Sequence, residues 1–534
     1  MKRMLSKLPA MHGPFGLAIA AAIAIAASSC PALSQESLVI ARDTEINSMD
    51  PHRAWTDAGQ LYVASVYETL VTIGADNVSV VPSLAASWTS NADQSEYEFK
   101  LDANAVFSDG SAVEAKDVKW SFERLKNAKS GSSFLLDSID DIEVLDEKSL
   151  RVRLNGPNSE FINLLTAPYT AIVNSDLAEE NGALAGSESA TLDESEAWFQ
   201  SASAGSGAYM LSSYAPGEAI RLEANPNYYR KHGDFGTVII KDTPSGISQA
   251  QALQNGSADL SMQIDADTAK QLVSDAITVE SVPSYYFVYV ALSPGAVGGE
   301  VLSKPVREAI ASALDYDGII QLTVGGEGHK IPVAIPNGFP GTEGLPPPER
   351  DIERAKQLLS EAGVPEGFTL KAEYPNVNVY GVEMSFLAQK VQQDLAKINI
   401  TLELTPVEFS VWRAHISGDG IPLTFVYYGP DYFGTAQYVQ YFAMIEGTAW
   451  WNRAGGARDN ALTNPREAEL LKEALSAPSD EQASIYHEIA LEMIDDRIII
   501  PVVNPNTVLA YKSDLTGLRM SPCCNLVINE IMKK

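Results

Sequence analysis

Alternation with a period of two is clearest at SEYEFKL (residues 95–101), where Tyr97, Phe99 and Leu101 interleave with Glu96, Glu98 and Lys100. The pattern predicts a strand with one buried face. A turn follows at Asp109-Gly110, since Gly takes positive φ without a Cβ clash and Asp bonds its own backbone. Beyond it Ala115, Val118, Phe122 and Leu125 fall at helical spacing, with Asp117 in the first turn, where the helix dipole favours a carboxylate. Glu114 stands at the cap position, a poor substitute there for Ser or Thr. This strand–turn–helix carries no nucleophile, phosphate loop or metal ligand, and on physical grounds it is scaffold.

The same alternation of elements runs through the chain. Strand SLVIAR (residues 37–42) leads into the polar loop EINSMDPHRAWTD (residues 45–57), then a helix carrying Leu61, Ser65, Tyr67 and Leu70. Residues 176–206 are acidic and rich in Ala and Ser, a mixture of helix and surface loop. A hairpin is predicted over residues 209–229 around Pro216-Gly217, and within residues 248–260 a helix closed by Asn255-Gly256 and then a short strand. Further on come helices over 304–315, 349–363 and 381–398, with strands over 368–374 and 423–428. Strands alternating with helices imply α/β lobes with mixed sheets. No internal repeat is visible.

At 534 residues the chain exceeds one core, and roughly two to four domains are expected. With 45% hydrophobic and 20% charged residues it is ordinary globular material, but 38 basic against 69 acidic residues leave a net charge of −31. Nucleic acid and anionic membrane surfaces are poor partners for such a chain, because both require clustered Lys and Arg. The N-terminus has the form of an export signal: Lys2, Arg3 and Lys7, then the apolar run GLAIAAAIAIAASS (residues 16–29). That run is short of the ~20 residues a spanning helix needs. Ala32-Leu33-Ser34 satisfies the small-x-small rule, which puts cleavage after Ser34 and makes residues 1–34 a signal peptide. Lipid attachment at Cys30 is the alternative, weakened by Ala27 where a bulky aliphatic residue is usual. Beyond the signal the cysteines are Cys523 and Cys524, adjacent in sequence. Their Cα atoms stand about 3.8 Å apart across a trans peptide, below the ordinary disulfide window, so a strained vicinal bridge and two free thiols both stay open.

Chemistry is marked mainly by what is missing. The six His residues form no metal-binding spacing, and no nucleophile elbow, Walker loop or dinucleotide fingerprint occurs. An enzyme is therefore not expected, nor a metal or cofactor. The positive signal is aromatic: SYYFVYV (residues 284–290), FVYYGPDYF (425–433), QYVQYF (437–442) and AWWN (449–452) crowd into the second half. Most are expected to fill a core, though such walls also suit a polar organic ligand. Asp431 follows a predicted strand and Gly429-Pro430, where a loop can aim a carboxylate into a cleft; a carboxylate among aromatics suits an ammonium group.

These residues resemble the periplasmic solute-binding proteins of the peptide/nickel ABC-importer family (family 5), from about residue 38 to the end. PSLAASW (residues 82–88), YEFKL and FSDGSAVEAKDVKWSFERL (residues 107–125) stand in the order and spacing of that family's signature. GSGAYMLSSYAPGEAIRLEANPNYY, VREAIASALD and AKQLLSEAG resemble later blocks. The resemblance implies a two-lobed α/β periplasmic-binding-protein fold in three segments, with a ligand cleft between lobes. On that pattern lobe I (domain I) comprises residues 35–66, 195–283 and 506–534, domain II residues 67–194, and lobe II (domain III) residues 284–505. It further implies capture of short peptides in the periplasm by hinge closure and delivery to membrane permease subunits with their ATP-binding subunits, by a monomer. Other members take oligosaccharides, opines or nickel chelates, and a sugar or opine ligand is the alternative; a secreted hydrolase is a distant one. DYFGTAQYV (residues 431–439) resembles the block whose Asp pairs with a peptide α-ammonium, which makes Asp431 the implied ammonium partner. Gly434 replaces that block's second acid. Trp412 and Tyr428 fall on aromatics that line the pocket, and Trp55 and Thr56 lie in the loop whose backbone pairs with the ligand. The Arg that often meets a ligand carboxylate has no counterpart, Phe425 and Val426 occupying its neighbourhood.

Overall fold

The structure, a computed structural model, describes residues 36–522 and 525–534. The expected export signal (residues 1–34), Cys30 and the Cys523-Cys524 pair lie outside the described residues.

Three main sheets build the chain. The first has seven strands, in the order Ile277–Val282, Thr507–Lys512, Leu260–Ser261, Ser37–Arg42, Thr237–Asp242, Ala219–Ala224 and Tyr209–Ala215. Ser37–Arg42 runs parallel to both its neighbours, and the outer pairings are antiparallel. The second is a four-stranded antiparallel sheet of Ala85–Ser90, Glu96–Leu101, Ser149–Leu154 and Ile139–Asp146. In Glu96–Leu101 the alternation works as the sequence requires: Tyr97, Phe99 and Leu101 are buried while Glu98 and Lys100 face solvent. These two sheets share one continuous core, in which Leu38 and Ile240 join Phe99, Val118 and Phe122. They form the first lobe.

The six-stranded third sheet, in the second lobe, runs Gly328–His329, Ile499–Pro505, Phe287–Leu292, Leu423–Tyr428, Phe368–Pro375 and Ile400–Val407. Its strand Phe287–Leu292 is buried at every position, and the period of two explains why. Val288, Val290 and Leu292 pack into one core against the helices Lys304–Ala313, Ile352–Glu361 and Met384–Ala396. Phe287, Tyr289 and Ala291 pack into another on the opposite face, with Tyr438, Phe442 and Trp450. A strand covered on both faces reads as an unbroken apolar run, each large side chain contributing about 1.5–3 kcal/mol of burial.

The chain crosses between lobes at residues 283–286 and again at 504–506. The crossings are tied together: Asn504 Nδ2 donates to the carbonyls of Ser284 (2.9 Å) and Tyr286 (2.6 Å).

One local expectation needs correction. The helix expected through Leu70 is Asp57–Val66. It stops because Gly205 and Gly207 bring their backbone against the Val66 carbonyl, Gly207 N–H donating to it at 3.0 Å; a Cβ on either glycine would collide there. The helix Ala115–Asn127 is capped from inside: Asp117 Oδ2 accepts from the Glu114 N–H at 2.9 Å. Residues 176–206 mix short helices, Ser175–Glu180, Ser189–Leu192 and Glu196–Phe199, with loop, as expected, and Ser189, Ser195 and Phe199 are fully buried.

Candidate functional site

The signature helix Ala115–Asn127 acts on the cleft at one remove. Its Arg124 is wholly buried and forks onto Asp50, Nη1 to Oδ1 at 2.8 Å and Nη2 to Oδ2 at 2.5 Å, while Nε donates to Asp193 Oδ2 at 3.1 Å. Arg124 Nη1 also lies 3.2 Å from His52 Nδ1, and His52 Nε2 lies 3.0 Å from the Ala171 carbonyl. Both contacts are satisfied by a neutral imidazole with its proton on Nε2. Burial, and then the Arg124 charge, push His52 down to about 4, which keeps it neutral. Burial opposes the charge of Asp50, but the guanidinium outweighs it and holds the carboxyl below its usual range. The loop between the first strand and first helix, which carries Trp55 and Thr56 to the cleft, is therefore anchored at both Asp50 and His52.

At the end of that loop, Thr56 caps the helix Asp57–Val66, its hydroxyl accepting from Gly59 N–H at 3.2 Å. Trp55 is 39% exposed and lies under the Arg413 guanidinium of the second lobe, 5.6 Å from ring centroid. Next along the chain, Asp57 pairs with Arg42 and accepts from Tyr286 Oη (3.2 Å) and Asn525 Nδ2 (2.7 Å). Tyr286 belongs to the second lobe and stacks on Tyr380 at 4.1 Å and 16°. Its ring also lies against Gly429, where a Cβ would approach within 2.5 Å. Glycine is needed there for the close approach.

Two residues on is Asp431. Its backbone N–H donates to Gln437 Oε1 (2.8 Å), and Gln437 Nε2 donates to the Tyr432 and Gly434 carbonyls, so one buried amide shapes the whole loop. Among the described residues no cation pairs with the Asp431 carboxyl. It is half-buried, and burial raises it to about 7, offset only by the neighbouring Tyr428 hydroxyl. Tyr428 stands among Phe442 (5.0 Å), Tyr441 (4.8 Å) and Tyr438 (5.7 Å). An ionised carboxylate held out of water without a partner is costly, and a ligand cation would remove that cost.

Glu160, from the first lobe, reaches the same loop. Its buried carboxyl accepts from the backbone N–H groups of Thr435 (3.1 Å) and Ala436 (3.0 Å) and from Tyr486 Oη (2.6 Å). Burial raises its pKa and those donors offset part of the rise. A Cβ at Gly434 would strike this carboxyl. Where the resembled pattern places a second acid on the loop, this chain has glycine and brings an acid from the opposite lobe. Asn163 Nδ2 adds a bond to the Phe433 carbonyl at 2.7 Å.

The structure thus brings Asp431 and Tyr428 together and places Trp55 and Thr56 on the facing lobe. Trp412 sits apart, 2% exposed inside the second lobe, with its indole N–H donating to Thr424 Oγ1 at 2.8 Å and its ring beside Phe409. Sequence reasoning missed Arg42, Asp57, Tyr286, Glu160 and Gln437. Only Tyr286, within a dense aromatic run, carried any signal. Among the described residues no group of three or more His, Cys, Asp or Glu could hold a metal ion, and no helix is long and apolar enough to cross a membrane.

Comparison with known proteins places this geometry. The model of the bacterial extracellular solute-binding proteins, family 5 (middle region), matches residues 79–448. The probable D,D-dipeptide-binding periplasmic protein DdpA of Escherichia coli K12 is 23% identical over 546 residues, covering 99% of each chain. Among solved structures, AgaA of A. tumefaciens R10 in complex with agropinic acid is 22% identical with a TM-score of 0.79, covering 93% of this chain and 99% of that one. DppA of Helicobacter pylori in complex with the peptide STSA is 22% identical with a TM-score of 0.78, covering 93% and 98%. The mixed sheets, paired crossings and facing lobes are those of a two-lobed periplasmic binding protein, and the chain belongs to the bacterial extracellular solute-binding proteins of family 5.

Proposed function

We propose that this protein is the solute-capturing subunit of an ABC importer: exported to the periplasm by residues 1–34, it takes up short peptides between its lobes. The observation that carries the reading is Asp431, a carboxyl raised to about 7 by burial with no cation paired to it among the described residues. A peptide α-ammonium supplies that cation. Tyr428 walls the ammonium site, and the backbone at Trp55 and Thr56 lies opposite, where an extended ligand pairs as an added strand. Closure of the lobes then presents the liganded shape to the permease and its ATP-binding partners. Domain I (residues 35–66, 195–283 and 506–534) and domain II (67–194) move together against domain III (284–505).

The test is native mass spectrometry of gently purified protein, followed by denaturing release of what co-purifies. A ladder of short peptides, lost in Asp431→Ala, supports peptide capture and the ammonium role. A single sugar or opine mass, indifferent to Asp431→Ala, overturns the peptide reading.

A further inference from the structure

Between the lobes, beside the two crossings, lies a cavity of about 50 Å³ whose polar lining includes Arg42, Asp57, Gln263, Tyr286 and Asn525. Arg42 ends the first strand and is 2% exposed. Its nitrogens can be accounted for one by one. Nε donates to the Asp43 carbonyl at 2.9 Å, Nη2 donates to the Asp57 carboxylate, and Nη1 is buried with no partner among the described residues. Asp57 is by contrast fully engaged: Oδ2 by Arg42, and Oδ1 by Tyr286 Oη at 3.2 Å and Asn525 Nδ2 at 2.7 Å. The pair is a guanidinium fixed at two points with its third nitrogen left for something else. Guanidinium recognises a carboxylate through such free N–H groups.

We infer that Arg42 is the second anchor of the ligand, its Nη1 taking the carboxylate of a zwitterionic solute whose ammonium meets Asp431. Tyr286 connects the surroundings of the two anchors: it donates to Asp57 and lays its ring against Gly429, two residues before Asp431. Asp57 is the positioning residue, orienting the fork without touching the ligand. The anchors come from opposite lobes, so a ligand carrying both charges holds the closed form and a ligand carrying one does not.

This inference rests on the peptide reading, and the experiment separates the two. A panel of di- and tripeptides, each as the free acid and as the C-terminal amide, is titrated calorimetrically into wild type, Arg42→Gln and Arg42→Lys. Wild type is expected to bind free acids about 30-fold more tightly than amides. Arg42→Gln brings that ratio to near 1 by weakening the acids far more than the amides, and circular dichroism with thermal unfolding reports whether it is folded. Should Arg42→Gln fail to fold, Arg42→Lys keeps a cation for Asp57 but has no second nitrogen for the cavity, and the same collapse of the ratio is expected. A ratio preserved in the variants, or a wild type that binds peptides without distinguishing acid from amide, overturns the inference and leaves the peptide reading standing. If no peptide binds wild type, the peptide reading falls and the co-purifying solute decides. A carboxylate-bearing solute absent from Arg42→Gln supports the anchor; a solute without a carboxylate, or one retained by Arg42→Gln, overturns it.

Discussion

Glu160 of the first lobe accepts a 3.0 Å hydrogen bond from the backbone N–H of Ala436 in the second, 276 residues further along the chain. With Thr435 N–H and Tyr486 Oη on the same carboxyl, this is a polar latch between lobes, set beside the loop that carries Asp431.

Removing the latch is expected to weaken closure. Glu160→Ala leaves buried donors unpaired, at about 1–3 kcal/mol each. Ligand affinity should fall about 10- to 100-fold, with a larger radius of gyration for the liganded protein in small-angle X-ray scattering. Glu160→Gln retains an acceptor and should lose less. Gly434→Asp, which sets a second carboxylate against Glu160, should mimic Glu160→Ala. Unchanged scattering and affinity in Glu160→Ala would show that closure does not depend on this contact.

Ligand binding should depend on pH through Asp431. Its carboxyl is raised to about 7 in the free protein and must be ionised to pair with an ammonium. The apparent Kd for an α-ammonium ligand should therefore rise about tenfold per pH unit as pH falls below 7. Above about pH 8 the ligand amine itself loses its proton, so affinity should peak between those limits. Calorimetry across pH 5–9 measures the curve, and Asp431→Asn should abolish its acid limb. An acid limb that persists in Asp431→Asn would assign the dependence to another group.

The same residue should cost the empty protein stability. A carboxyl raised from 3.8 to about 7 binds its proton more readily folded than unfolded, so stability is lost as pH rises from about 4 to 7. Asp431→Asn, measured without ligand, should raise Tm by about 2–4 °C at pH 8 and little at pH 4. An equal gain at both pH values would point to packing instead of charge.

Acid should loosen the loop held by Arg124. His52 is depressed from 6.5 to about 4, so below pH 6.5 the unfolded chain binds a proton that the folded protein refuses. About 3 kcal/mol of stability is expected to disappear between pH 6.5 and 4. His52→Gln should flatten that part of the stability curve. Arg124→Met should cost about 3–5 kcal/mol at neutral pH by taking the forked cation from the buried Asp50 and Asp193, which keep only the longer contacts to Arg53 at 3.5 and 3.3 Å. Denaturant titrations at several pH values check both.

Legibility in the sequence followed the distance over which each feature is decided. The strand Leu423–Tyr428 and the buried face of Glu96–Leu101 appear where their periodicity predicts, because alternation and burial are properties of neighbouring residues. The end of the helix Asp57–Val66 was not readable, because its apolar spacing continues past the point where Gly205 and Gly207 meet Val66. Asp431 became a candidate through resemblance, since a lone loop Asp is otherwise a turn residue. Arg42 gave no sign at all: a cation at the end of a strand ordinarily faces water.

The sequence by itself determined the class of fold, the order of its strands and helices, and the family. Those follow from local periodicity, turn chemistry and ordered blocks of neighbouring residues. Only the tertiary structure decided which charges matter. Arg42 acquires a free nitrogen because Asp57 and the Asp43 carbonyl occupy the other two. Asp431 is raised because the fold withdraws its carboxyl from water, and Glu160 becomes a latch because the second lobe closes over it. The energy of a charge depends on its dielectric surroundings and its partners, and here segments hundreds of residues away supply both.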